Sequence, residues 1–293
     1  MSFTIKELEA LSGIKAHTIR IWEQRYGFLK PSRTNTNIRT YSNDELKTIL
    51  MVALLNKHGY KISRISGMAP AQRRQEVLAL NTDEAINAQL VNDLISCMID
   101  LDAAGFETIL NQYLQQHDVF TLHTSLIFPF LDRTGLLWQA SRINPAHEHL
   151  ATAIIRQKII SAIDKLPLPT TEQPLFLMLL PEDEHHELGL LLVYYLLKQK
   201  GLPVIYLGAS VPLKDAAYVC NIKSPRFLYL HLTTLPPRLG LQKYLMALSE
   251  ATGVQIITSG AAVSANKKAL PPSVKVITSF TDLNNFLEGV PQV

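Results

Sequence analysis

The run Leu175-Phe176-Leu177-Met178-Leu179-Leu180, followed after three residues by Glu184-His185-His186-Glu187-Leu188-Gly189, decides how the C-terminal half folds. Six apolar residues without alternation suit a strand buried on both faces. A polar turn follows, and Leu190 to Leu197 then reads as an apolar helix. Strand, polar turn and helix make the repeating unit of an open α/β sheet, which binds ligands at the carboxyl ends of its strands. The imidazoles of this turn are therefore the first candidates for holding a metal centre.

Residues 172–293 repeat the unit. Strands are expected at Leu175–Leu180, Pro203–Leu207, Phe227–Leu232, Val254–Thr258 and Val274–Ile277. Helices are expected at Glu187–Gln199, Leu213–Cys220, Leu239–Glu250 and Thr281–Leu287, with a short turn near Val263–Lys268. This alternation predicts a flavodoxin-like, doubly wound parallel sheet, with the loop after its first strand beside the topological switch point. Upstream, apolar spacing of three and four residues predicts helices at Asp83–Ile99, Asp102–His117, Val119–Gln139 and Pro145–Leu166, most economically a four-helix bundle. Trp138 closes one of these helices. Asn144-Pro145 caps and opens the next, putting His147, Glu148 and His149 in its first turn.

The N-terminus reads differently. Thr4-Ile5-Lys6-Glu7 is a capping-box pattern, Ser12-Gly13 breaks the first helix, and a second, basic helix runs from about Lys15 to Arg25 before Gly27. On it, Ile14, Thr18 and Ile21 are expected to face inward. Residues 29–41, Asn-rich in the middle, form an expected β-hairpin wing, and Ser42-Asn43-Asp44-Glu45 caps a further helix. Together these predict a winged helix-turn-helix. The domains are accordingly 1–72, 80–167 and 172–293, with Met68–Gln72 as linker.

Charge follows that division. Residues 1–75 carry 13 Lys and Arg against 5 Asp and Glu, a net +8, while the remainder carries 15 against 20, a net −5. A basic head on an acidic body points the head toward a polyanion. No apolar run is long enough to span a bilayer and Met1-Ser2-Phe3-Thr4 starts no signal-peptide pattern, so cytoplasmic residence without membrane contact is expected. Cys97 and Cys220 are far apart and read as small buried hydrophobes.

Thr18-Ile19-Arg20-Ile21-Trp22-Glu23-Gln24-Arg25-Tyr26-Gly27, with Pro31, Arg33, Arg39 and Tyr41 after it, resembles the MerR family of transcriptional regulators. The resemblance implies a major-groove helix and a backbone-contacting wing on a double-stranded DNA operator. Its candidate DNA contacts are His17, Thr18, Arg20, Arg25, Tyr26, Arg33, Arg39 and Tyr41, and Trp22 is expected to pack in the core. The family's long dimerising coiled coil has no counterpart here, so a homo-oligomer would form through the C-terminal body.

Trp138, nine residues, then Glu148-His149 resembles the signature of adenosylcobalamin-binding regulators of the CarH/LitR type. There the tryptophan and the Glu-His pair cap the upper corrin face, and the histidine can ligate cobalt once the adenosyl group is lost. Glu184-x-His186-x-x-Gly189 resembles the lower-face signature, with Glu184 in place of aspartate and His186 as lower axial ligand. The nucleotide-tail Ser-x-Leu falls on His231-Leu232-Thr233, and the Gly-Gly falls on Gly260-Ala261 after Thr258-Ser259. Ser210 lies in a stretch that keeps the family's look.

The implied function is a non-enzymatic DNA-binding repressor sensing adenosylcobalamin and, by the resemblance, light. The alternative is a MerR-type regulator whose body binds no cobalamin and answers to a protein or another small ligand. Corrinoid methyl-carrier proteins also share the bundle-plus-sheet pair, but the DNA-binding module argues against an enzyme component.

Overall fold

The computed structural model describes residues 2–80, 82–139, 143–169, 174–234, 240–267 and 270–290. Leu239 and Lys268, named above as helix and turn ends, lie outside these residues, as do 140–142 of the expected loop after Trp138. The chain divides into two compact units, Met1–Ile155 and Arg156–Val293.

In the first unit, β1 (Ser2–Phe3), α1 (Ile5–Ser12), α2 (Ala16–Tyr26), β2 (Ser32–Arg33), β3 (Arg39–Ser42) and α3 (Asn43–Lys57) form the winged helix-turn-helix. The wing is antiparallel, with Arg33 opposite Arg39, and β1 adds an unanticipated third strand that pairs Phe3 with Tyr41. Both capping boxes form: Glu7 accepts from Thr4 N–H at 2.6 Å, and Glu45 accepts from Ser42 N–H at 2.7 Å. The inward face of α2 differs from expectation. Ile19 and Trp22 are its buried residues, while Ile21 is 40% exposed. Ile19 and Trp22 stand three apart on one helical face, and burying the large indole outweighs burying one more isoleucine.

Next come α4 (Ile62–Ser66) and α5 (Pro70–Ala79). The expected linker Met68–Gln72 thus contains a helix start, with Pro70 in the first turn, where its missing N–H costs nothing. The bundle helices follow: α6 (Asp83–Ile99), α7 (Ala103–Leu114), α8 (Val119–Leu122), a π-helical turn (His123–Ile127), α9 (Phe128–Gln139) and α10 (Pro145–Asp164). Their buried face includes Leu94, Met98, Phe106, Leu110, Leu126 and Phe130, with the Phe106 and Phe130 rings edge to face at 5.4 Å. His123 is wholly buried in that core, its Nδ1 2.8 Å from the Val119 carbonyl, and burial pushes its pKa down to about 4. Lys47 and Asn43 of α3 both reach Asp100 at the end of α6, so head and bundle pack together within this unit.

The second unit holds β4 (Phe176–Pro181), α11 (Leu188–Gln199), β5 (Val204–Val211), α12 (Leu213–Lys223), β6 (Phe227–His231), α13 (Leu241–Thr252), β7 (Gln255–Ser259), α14 (Ala261–Ala265), β8 (Lys275–Val276) and α15 (Phe280–Glu288). Its sheet has the order β5-β4-β6-β7-β8, all parallel. Every residue of β4 is buried, as a central strand covered on both faces must be. Leu177 and Leu179 pack into one core layer, Phe176, Met178 and Leu180 into the other. The chain leaves β4 for β5 on one side and later returns to β6 on the other. The switch point lies between the carboxyl ends of β4 and β6.

Candidate functional sites

On the head, His17, Arg20 and Arg25 of α2 are exposed, and Thr18 and Tyr26 are partly so. Arg33 is exposed on the wing, its guanidinium donating to Asn37 at 2.6 Å across the turn. Arg39 and Tyr41 are placed otherwise. Arg39 Nε lies 3.0 Å from both oxygens of Glu23, and the Tyr41 hydroxyl donates to the same carboxylate at 3.1 Å. Tyr41 is fully buried, so it is a core residue and not the surface DNA contact expected of it. Burial, then the Glu23 charge, drives its phenol pKa far above the ordinary value. Glu23 therefore joins α2 to the wing.

At one end of the bundle, Trp138 Nε1 donates to Glu148. Trp138 is 42% exposed and His149 is exposed beside Glu148 in the first turn of α10. Asn144 caps that turn, its side-chain oxygen accepting from Ala146 N–H at 2.9 Å. The three residues expected on the upper face are thus gathered at one place, with the indole held by the carboxylate.

At the switch point, Glu184 is the organising group. It is 3% exposed; His186 donates to its Oε1 through both the backbone N–H (2.8 Å) and Nδ1 (2.6 Å). Thr234 donates to Oε2 through N–H (3.0 Å) and hydroxyl (2.5 Å). Burial alone would raise the pKa of this carboxyl, but the donors from His186 and Thr234 hold it far below the usual range. An ionised carboxylate accepting from Nδ1–H sets the imidazole tautomer and leaves Nε2 as the ring's other nitrogen. His185 makes no such contact with Glu184. Glutamate at this position thus reaches the Nδ1 of the histidine two residues on. Thr234, which no motif marked, completes the clamp, and both it and the neighbouring Thr233 are exposed.

The remaining expected residues shape the surrounding loops. Ser210 has φ +57°; its N–H donates to the Glu184 carbonyl at 3.0 Å and its Oγ accepts from Asp183 N–H at 3.2 Å. Gly260, with φ +107°, passes so close to Leu232 that a Cβ would sit 2.3 Å from its carbonyl oxygen. Gly189 is crowded from elsewhere. A Cβ there would lie 2.2 Å from His231 Nε2, so the His231 ring rests on the glycine. His231 Nδ1 is 2.9 Å from Ser259 Oγ, which also accepts from the Tyr229 hydroxyl at 2.8 Å. This packing desolvates the ring and pushes its pKa down to about 4.

One imidazole oriented by a buried carboxylate is the donor set that an axial position on a macrocycle-bound metal requires, so these residues fit a corrin ring. The crevice beneath, between Gly189 and the end of β6, is filled by the chain's own imidazole.

A winged helix-turn-helix head followed by a helical bundle and a doubly wound sheet defines a DNA-binding regulator with a ligand-type body. The comparisons with known proteins agree. Residues 3–72 match the family model of MerR HTH family regulatory proteins, and residues 90–161 match that of a B12 binding domain. The HTH-type transcriptional repressor CarA of Myxococcus xanthus is 31% identical over 214 residues, 72% of this chain and 70% of CarA. The repressor CarH of the same organism is 24% identical over 274 residues, 91% of each chain. The Methanosarcina barkeri monomethylamine corrinoid protein shares the fold at TM-score 0.56 and 17% identity, over 69% of this chain and 99% of that one. This chain belongs to the family of MerR-type transcriptional regulators with a B12-binding module that includes CarA and CarH. Among the described residues, no helix is long and apolar enough to cross a membrane.

Proposed function

We propose that this protein is a transcriptional repressor whose body holds adenosylcobalamin and makes DNA binding depend on it, without catalysing a reaction. The observation that carries this reading is the Glu184–His186 pair at the carboxyl end of the first strand of the sheet. His186 would ligate cobalt through Nε2, with Glu184 and Thr234 fixing the ring. Trp138 and Glu148 would cover the opposite corrin face, and His149 supplies a second imidazole next to them. When bound, adenosylcobalamin supplies a cobalt–carbon bond that visible light can break, and hence a chemical difference between dark and illuminated protein.

Arg20, His17, Thr18, Arg25 and Tyr26 would meet the major groove and Arg33 the flanking phosphates of an operator, giving salt-dependent affinity. Regulation would then be a population shift: a body holding intact ligand favours one arrangement of a homo-oligomer, and DNA affinity follows. A second reading, a body answering to a protein or another small ligand, draws on the imidazole in the crevice.

One experiment separates the two. The full chain is mixed with adenosylcobalamin in the dark and desalted, and visible spectra and DNA mobility shifts are recorded before and after green light. The expected result is retained colour, a spectral change on illumination and altered DNA affinity. A colourless desalted protein would sink the cobalamin reading and leave the second.

A further inference from the structure

The crevice at the switch point, where an open α/β sheet receives the part of a ligand that enters it, is occupied by side chains at the carboxyl end of β6. From the β6 side, Thr234 is tied to Glu184 by two hydrogen bonds of 3.0 and 2.5 Å. His231 fills the space over Gly189, where even a methyl group would meet ring atoms at 2.2, 2.4 and 2.7 Å. The ring is anchored from behind by Ser259, itself engaged by Tyr229, so it is not a loose side chain that swings aside without loss. Below it, Leu232 N–H donates to the Ser259 carbonyl at 2.8 Å and Ala262 N–H to the Leu232 carbonyl at 3.1 Å, closing the neighbouring gap between β6 and β7 with backbone. His186, by contrast, is exposed at the mouth of the loop.

We infer that His231 is a specificity-determining residue: it plugs the crevice against a corrinoid's pendant nucleotide, so that the body prefers corrin rings bearing no such tail. Resting on the cobalamin-type reading of this site, the inference ranks tail-less, cobinamide-like corrinoids above complete cobalamins, adenosylcobalamin among them. A complete cobalamin is held only with its tail outside the crevice, or at the loss of the His231–Ser259 contact. The ring binds at His186, and discrimination between corrinoids arises at His231, about the affinity difference that overpacking a filled space produces.

The full chain and two variants, His231→Ser and His231→Phe, are titrated in the dark with hydroxocobalamin and with aquocobinamide, binding being read from visible spectra. Wild type is expected to bind aquocobinamide at least about tenfold more tightly than hydroxocobalamin. His231→Ser, which empties the crevice, should gain about tenfold for hydroxocobalamin and change little for aquocobinamide. His231→Phe, which refills it with a ring, should keep the wild-type preference. Circular dichroism melts establish that each variant is folded, and if His231→Ser does not fold, the wild-type and His231→Phe preferences decide. Tighter binding of hydroxocobalamin than of aquocobinamide by wild type, or a His231→Ser variant with the same ratio as wild type, overturns the inference. Binding of neither corrinoid by any folded form overturns the cobalamin reading itself, and the inference with it.

Discussion

Two glutamates, Glu23 in the DNA-binding head and Glu184 at the sheet edge, hold their regions together by different means. Glu23 is 14% exposed on its side chain and pairs with the permanent cation Arg39, with the Tyr41 hydroxyl added. Glu184, at 3%, draws on four donors from His186 and Thr234 and, among the described residues, on no lysine or arginine. The arginine partner brings a permanent cation and fixes the wing to α2. Neutral donors around a carboxylate make a clamp that titrates, and one of its donors is itself a candidate metal ligand. The first is built for rigidity, and the second couples loop structure to the state of a histidine.

The largest expected effect lies on the second clamp. Glu184→Ala strips four hydrogen bonds from an ionised acceptor and should lower stability by roughly 3 kcal/mol, read from denaturant midpoints. Corrinoid affinity should fall by about 10- to 100-fold, because the ring of His186 loses its orienting partner. If Glu184→Ala binds corrinoid as wild type does, the positioning role ends there.

The pH response comes next. Glu184 has a folded pKa below its unfolded one, so its contribution is complete above the ordinary carboxylate range and is lost as pH falls through and below it. His231 and His123 are depressed from 6.5 to about 4, so the unfolded chain binds more protons between those values. Their stabilisation is full above pH 6.5 and drains away toward pH 4, by about 3 kcal/mol each. Melting temperatures should therefore fall from pH 7 to pH 5, and less steeply in His231→Phe. A flat profile would overturn the lowered pKa values of His231 and His123.

Glu23→Gln should cost about 1–2 kcal/mol and weaken DNA binding several-fold as the wing loosens from α2. A mobility shift at two salt concentrations would separate this from loss of a phosphate contact, which changes the salt slope. Tyr41→Phe is the mildest change, about 1 kcal/mol in the melt with DNA affinity unchanged. A marked loss of DNA binding without a change in the melt would put Tyr41 back among the contacts.

Much of this was legible along the chain. The apolar run 175–180 read as a buried strand because covering both faces requires six inward residues, and β4 spans Phe176–Pro181. Asp83–Ile99 read as a helix with those same ends, since Thr82 caps it and the three-four spacing is clear. The Glu184–His186 and Trp138–Glu148 pairs were also legible, because each brings together residues only two and ten apart along the chain. Less legible were the facing of α2, where a choice between isoleucines was settled by the indole, and strand β1, too short to carry a period.

The sequence by itself thus determined the order of domains, the strand-turn-helix units and the closeness of Glu184 and His186 within one loop. These depend on local periodicity, caps and short spacings, which a linear chain carries openly. Only the tertiary structure decided that Thr234, fifty residues from Glu184, completes its clamp, that Tyr41 faces the core, and that His231 lies on Gly189. Those contacts arise because a parallel sheet returns distant strand ends to one edge. The space left between them depends on packing that no spacing along the chain records.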